Sequence, residues 1–189
     1  MLLAVVTVSG CTQPPAPATP PSTTVLLTPA GSASGKPAPT GPGSVPVPAD
    51  AQSARVRAIV DGDTLHLVGV GGGPLPAGQD ERVRLLEINA PEIHGTIDCF
   101  GPEATTALTA LVPVGSMVRV VPDREARDKY GRPLLYVWNA SGVFVNLALV
   151  RDGAAVALLI RPNDRHIAEM RAAETQARND RRGQWGTCH

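Results

Sequence analysis

Hydrophobic and polar positions along the chain change character near residue 54. From there on, apolar residues recur with strand and helix periods. Arg55-Val56-Arg57-Ala58-Ile59-Val60 alternates as a half-buried strand does. After Asp61-Gly62-Asp63, a turn or bulge, the alternation resumes in Thr64-Leu65-His66-Leu67-Val68. A glycine-rich connection over residues 69–79 leads to a third strand over 82–88, giving a meander. Val83, Leu85, Leu86 and Ile88 cover both faces of that strand in part. Pro91 stops it, having no N–H to give a ladder and holding its predecessor extended. Gly101-Pro102-Glu103 opens a helix through Ala104 to Leu111, with proline in the first turn and an acid against the helix dipole. Residues 117–121 read as a fourth strand ending at Pro122, 123–132 as a charged loop and 133–138 as a fifth strand. Asn139-Ala140-Ser141-Gly142 supplies turn chemistry. A short helix over Val145 to Arg151 then stops at Asp152-Gly153. Beyond the apolar run 154–160, Asn163 or Asp164 is placed to cap a last helix, with Ile167, Met170 and Ala173 or Glu174 at helical spacing, ending near Gly183. The expected class is β-rich α+β: a five-stranded OB-type Greek-key barrel with about three packed helices, an architecture that binds oligonucleotides across one face.

Ahead of residue 54 the periodicity is absent. Residues 12–53 are built from Pro, Ala, Thr, Ser and Gly with almost no charge. Such a stretch buries too little apolar area to offset its conformational entropy, so a disordered linker is expected there. Residues 1–11 form a short apolar run followed by small residues, too short to span a bilayer. Val8-Ser9-Gly10-Cys11 resembles a bacterial lipoprotein signal in which the cysteine carries the lipid, although no Lys or Arg precedes the apolar run. The resemblance implies export and membrane attachment through Cys11, with 12–53 as a tether and 54–189 as the folded domain. Lipidation of Cys11 leaves Cys99 and Cys188 as a pair, free to oxidise outside the cell.

Charge narrows the function. Seventeen basic and seventeen acidic residues cancel, so no global positive field gathers nucleic acid, and any contact with phosphate must be local. All the basic residues but Lys36 and Lys129 are arginine, which suits bidentate contact with phosphate. Hydrolysis of a phosphodiester requires an activated water, neutralised phosphoryl oxygens and a stabilised leaving oxygen. Asp61, Asp63, Asn89, the Ala90 carbonyl, Glu92, Arg84 and Arg132 offer oxygen ligands for a hard cation, a carboxylate base and two phosphate-binding guanidiniums. His94, two residues from Glu92, reads as an exposed loop histidine, and the other histidines lack partners at metal-ligand spacing.

The motifs VDGDT (60–64), VRLLEINAPE (83–92), FGPEA (100–104), DKYGR (128–132), VNLALVRDGAA (145–155) and RPND (161–164), in this order, resemble the staphylococcal nuclease (thermonuclease-like) family from about Val56 to Trp185. The resemblance implies a calcium-dependent nuclease acting on DNA and RNA, with single strands preferred, as a monomer. Asp63 then matches a Ca²⁺ ligand and Asp61 its neighbour, while Ala90 stands where a backbone carbonyl ligates. Arg84 matches a phosphate-binding arginine, Glu92 the general base, and Arg132 the arginine that stabilises the transition state. Two positions depart from the pattern. Asn89 stands where an aspartate ligand is expected, which removes one formal charge. Ala157-Leu158-Leu159-Ile160 replaces tyrosines near the bound nucleotide, removing a stacking platform. Two rival readings follow. One is a catalytically weak or inactive barrel that binds nucleic acid or a partner protein at the cell envelope. The other is a structural envelope lipoprotein, which leaves the acid and arginine set without a purpose.

Overall fold

The computed structural model describes residues 45–188. The expected signal over 1–11, with its lipidated Cys11, and the stretch 12–44 lie outside the described residues. Five strands close into a barrel: β1 (Gln52–Ile59), β2 (Thr64–Val70), β3 (Asp80–Leu85), β5 (Met117–Arg127) and β6 (Pro133–Asn139). They run in the order β1-β2-β3-β6-β5, with β5 closing back onto β1. Neighbours are antiparallel except β3 and β6, which pair parallel at Arg84–Leu134 and Leu85–Leu135. That parallel pair requires a crossover, and α1 (Gly101–Leu111) together with β5 provides it. The expected OB-type barrel is thus the fold. A separate ribbon joins β4 (Ile88–Asn89) to β7 (Val156–Ala157). Among the described residues, α2 (Val145–Arg151), α3 (Ile167–Asn179) and the one-turn α4 (Gln184–Thr187) complete the elements.

Alternation accounts for the closure. Leu65 and Leu67 of β2, Val83 and Leu85 of β3, Val118 and Val120 of β5, and Leu135 and Val137 of β6 are all buried in the core. Each such side chain contributes roughly 1.5–3 kcal/mol by leaving water. Trp138 of β6 is fully buried and stacks on Phe144 with centroids 4.6 Å apart.

The last helix ends at Asn179 rather than near Gly183, and four other departures from the expected boundaries have a physical cause. β1 starts at Gln52, two residues before the expected domain start. Val45 and Val47 ahead of it already pack on the core, and Trp138 Nε1 donates to the Val45 carbonyl at 2.9 Å. The third strand breaks at Glu87, whose φ of 60° turns the chain away from the barrel and leaves Ile88–Asn89 to pair with β7. β5 does not end at Pro122 but runs on to Arg127, so half of the expected charged loop is strand. Pro122 sits where the register with β6 shifts, a place that tolerates a missing N–H. Past it, the Asn163 side chain stands in for a ladder partner: Oδ1 accepts from the Glu125 N–H (2.8 Å) and Nδ2 donates to the Glu125 carbonyl (3.0 Å). Asn163 is therefore not free to cap α3. The cap position falls at His166, while Asp123 of β5 accepts the Asp164 and Arg165 N–H groups.

Candidate active site

The two acids of the Asp61-Gly62-Asp63 turn are held by the turn itself. The Asp63 N–H donates to Asp61 Oδ1 (3.0 Å), and Asp63 Oδ1 accepts the Thr64 hydroxyl (3.0 Å). Gly62 lets this turn lie against α1 and the end of β4. A Cβ there would stand 2.6 Å from Ala90 Cβ and 2.8 Å from Ala104 Cβ. The same closeness brings the Ala90 N–H to Asp63 Oδ2 at 2.7 Å. The backbone after β4 is thereby fixed to the acidic turn.

Arg84 leaves β3 into the same space. One Nη donates to the Leu85 carbonyl (3.0 Å); the other lies 3.0 Å from Asp63 Oδ2 and 3.0 Å from Asn89 Oδ1. Asp61, Asp63 and Arg84 are all under 8% exposed. Burial lifts the Asp63 carboxyl to about 6, against the pull of Arg84 and the Ala90 N–H, and the neighbouring Asp61 adds to the rise. Burial also lowers Arg84 from its usual range, opposed by Asp63 and Asp61; a guanidinium remains cationic at neutral pH all the same.

Glu92 is exposed at the mouth of this space. Its backbone is gripped by Asp98, whose Oδ2 accepts the Glu92 N–H (3.1 Å) and whose own N–H donates to the Glu92 carbonyl (2.9 Å). The carboxylate is left free to face solvent. Arg132 arrives from the turn before β6. There Asp128 takes the Tyr130 and Arg132 N–H groups at 2.9 Å each and Arg132 Nε at 2.7 Å. Burial would raise Asp128, but these hydrogen bonds outweigh it and hold the carboxyl below the usual range.

One groove of about 710 Å³ gathers these groups. Asp61, Asp63, Arg84, Asn89, Glu92 and Arg132 all line it, so every expected site residue but one meets on a single surface. The exception is Ala90, buried beside the groove and contributing backbone only. Thr64, His66, Arg82 and His94 also line it, and the sequence assigned none of them a role; His94 is exposed, as expected of a loop histidine. The strand period was the available signal for three of them, since Thr64 and His66 pair with Arg84 and Arg82 across the β2–β3 ladder. Leu158 and Ile160 line an adjoining cavity of about 430 Å³ with Arg84 and Arg132. Tyr130 stands on its rim, 73% exposed, with Lys129 Nζ 5.0 Å and the Arg132 guanidinium 5.7 Å from its ring centroid.

A model of the family described as staphylococcal nuclease homologue matches residues 82–187, more than half of the chain. The chain belongs to that family. It is 33% identical to the thermonuclease of Staphylococcus intermedius over 137 residues, 71% of this chain and 76% of that protein. It is 28% identical to the thermonuclease of Staphylococcus hyicus over 140 residues, 72% and 78% of the two chains. Endonuclease YhcR of Bacillus subtilis (strain 168) is 33% identical over 140 residues, 69% of this chain but only 11% of that much longer protein. Family membership applies to a domain whose groove already places two acids, two arginines and a free carboxylate together.

As to a metal, the groove provides carboxylates at Asp61 and Asp63 and an amide oxygen at Asn89, hard oxygen donors of the kind calcium takes, while the Ala90 carbonyl beside it accepts from Asn89 Nδ2 at 3.4 Å. Among the described residues no three His, Cys, Asp or Glu side chains converge as a cluster. The chemistry of these donors fits a divalent hard cation.

Proposed function

We propose that the chain is a calcium-dependent nuclease that hydrolyses phosphodiesters of DNA and RNA by attack of water. The observation that carries this reading is the single groove shared by Asp63, Arg84, Glu92 and Arg132. Asp63, with Asp61 beside it, Asn89 Oδ1 and the Ala90 carbonyl would hold the ion, which supplies Lewis-acid polarisation of a phosphoryl oxygen. Of the five guanidinium N–H donors of Arg84, three are spent on Leu85, Asp63 and Asn89, leaving two for a phosphate. Arg132 gives Nε to Asp128 and keeps both Nη groups for the oxygens that gain charge as the bond to the leaving oxygen breaks. Glu92, exposed and held only through its backbone, takes the proton from the attacking water.

Digestion of a single-stranded oligonucleotide by the full chain tests this. Cleavage is expected with Ca²⁺ and is lost in EDTA. Glu92→Gln should lower kcat by about 10²–10⁴-fold, as removal of a general base does, and Arg132→Ala should also lower it steeply. Full activity in both variants rejects these roles. The rival reading, a barrel that binds without cleaving, is favoured by Asn89, whose amide oxygen is already engaged by Arg84. Tight oligonucleotide binding without turnover at saturating Ca²⁺ would select it.

The same proposal places the domain outside the cell on a lipid at Cys11, where single strands would reach it and no protein partner is needed. The Cys99–Cys188 disulfide supports an oxidising compartment. Cys11→Ser should move the protein from the membrane fraction to the soluble one; unchanged fractionation and no incorporation of labelled fatty acid by the unaltered chain would reject the anchor.

A further inference from the structure

Arg82 occupies the groove as Arg84 does. The two lie two positions apart on β3, so their side chains leave the same face of the strand about 7 Å apart. Val83 and Leu85 turn the other way, into the core. The surroundings of the two arginines differ in one respect. Arg84 is matched to Asp63, and Arg132 to Asp128. Arg82 has no ion pair or side-chain hydrogen bond among the described residues, and the two acids beside it on β3 are already taken. Glu81 is held by Arg127 at 3.1 and 3.2 Å, and Asp80 by His66 at 2.9 Å.

A second cavity of about 530 Å³ opens off the groove, lined by Glu81, Arg82, Tyr130, Gly131 and Arg132. Arg82 and Arg132 are the two residues that line both spaces, so a strand leaving the first for the second passes between them. An arginine with no anionic partner at that passage, on a chain with no net charge to attract polyanions, is fitted to take phosphate oxygens bidentately. The exposed Tyr130 ring gives the outer cavity an aromatic face for a base.

We propose that Arg82 holds the phosphate next to the one seated on Arg84 and Arg132, so that the preferred substrate is a single strand of several nucleotides rather than a dinucleotide. This deepens the nuclease reading and rests on it for the identity of the first phosphate. The spacing of the two arginines along the strand, one short step apart on one face, matches a backbone that runs past both in turn.

Binding of labelled dithymidylate and octathymidylate to the full chain in EDTA, by fluorescence anisotropy over roughly 50–200 mM salt, separates the two ideas. For octathymidylate, Arg82→Gln should make the slope of log affinity against log salt shallower by about 0.7, the share of one phosphate contact on a single strand. Arg82→Lys should keep the slope. Arg171→Gln, which removes an exposed charge from α3, should leave it unchanged and so controls for net charge. The loss in Arg82→Gln should be several-fold for octathymidylate and smaller for dithymidylate. An unaltered slope in Arg82→Gln, or an equal change in Arg171→Gln, overturns the proposal. An unaltered chain that shows the Arg82 effect yet does not cleave with Ca²⁺ sinks the nuclease reading and leaves the subsite standing. Failure to bind either probe sinks the subsite and leaves the nuclease reading to the digestion with Ca²⁺.

Discussion

Two residues at the acidic turn carry opposite lessons about what a side chain adds. Gly62 matters for what it lacks: any Cβ there meets Ala90 and Ala104 side chains at under 3 Å. Gly62→Ala should cost about 1–3 kcal/mol through overpacking, and it should push the Ala90 amide away from Asp63. Urea unfolding would measure the first effect, and loss of Ca²⁺ affinity the second. Asn89 matters for a charge it does not carry. Its Oδ1 is a ligand candidate that accepts from Arg84 instead. Asn89→Asp would add a formal charge beside the acidic turn proposed to hold Ca²⁺, so Ca²⁺ affinity measured by titration calorimetry should rise. An unchanged affinity would mean that Arg84 cancels the new carboxylate and that position 89 lies outside the ion's reach. Both residues could be picked out of the sequence, Asn89 by its place after a strand and Gly62 by its place between two acids. The contact that makes Gly62 irreplaceable could not, because it is made by α1, about forty positions downstream.

At the scale of elements, β5, β6 and the start of α3 meet around a buried acid that strand periodicity gave no reason to expect. Glu87 is fully buried at the turn ending β3. Its Oε1 accepts the Tyr136 hydroxyl of β6 (2.7 Å) and the His166 N–H (3.2 Å), while Oε2 has no partner among the described residues. Asp123 of β5 faces the same hydroxyl, Arg165 pairs with Asp123, and Glu169 of α3 stands behind His166. Burial raises Glu87 above its usual value, opposed by the Tyr136 and His166 hydrogen bonds. The folded state therefore holds this proton more tightly than the unfolded chain. That advantage is complete below the unfolded carboxyl value and is lost as pH rises through the folded one. His166, which burial lowers, has the opposite sign: its contribution is present above the unfolded histidine value and is lost as pH falls through the folded one. Glu87→Gln should thus flatten the fall in stability above the carboxyl range while leaving the histidine-linked loss on acidification. Thermal midpoints across pH 4–9 would test this, and a variant curve parallel to the original would show that Glu87 does not titrate in the fold. The barrel strands were legible in the sequence because alternation reports burial directly. The run of β5 past Pro122 and the cap of α3 were not, because both depend on Asn163 and Asp123 bonding across elements distant in sequence. Local pattern holds no record of such partners.

For the molecule as a whole, the link that joins the site to the C-terminus is the Cys99–Cys188 disulfide, spanning 89 positions. Cys99 follows Asp98, which grips the backbone of Glu92 through two hydrogen bonds. Cys188 follows α4, which is held to the Gly153 turn after α2 by the Gln184 N–H at 3.0 Å. The bond thus fastens the loop bearing the proposed base to the helical layer behind the barrel. A closed loop of this length should stabilise the fold by about 4–5 kcal/mol in the chain-entropy account, a mechanism that is itself model-dependent. Replacing both cysteines by serine should lower the thermal midpoint by on the order of 10 °C, given a few degrees per kcal/mol for a domain of this size. If the bond also orders the Glu92 loop, the doubly substituted protein should lose kcat well below its new midpoint, and proteolysis over residues 92–99 should speed up in step. A lowered midpoint with kcat and cleavage rate unchanged would confine the disulfide to stability and leave Asp98 as the sole constraint on the base. The two outcomes differ because Asp98 is close in sequence and acts whether or not the C-terminus is attached, whereas the crosslink acts only through the packed α4.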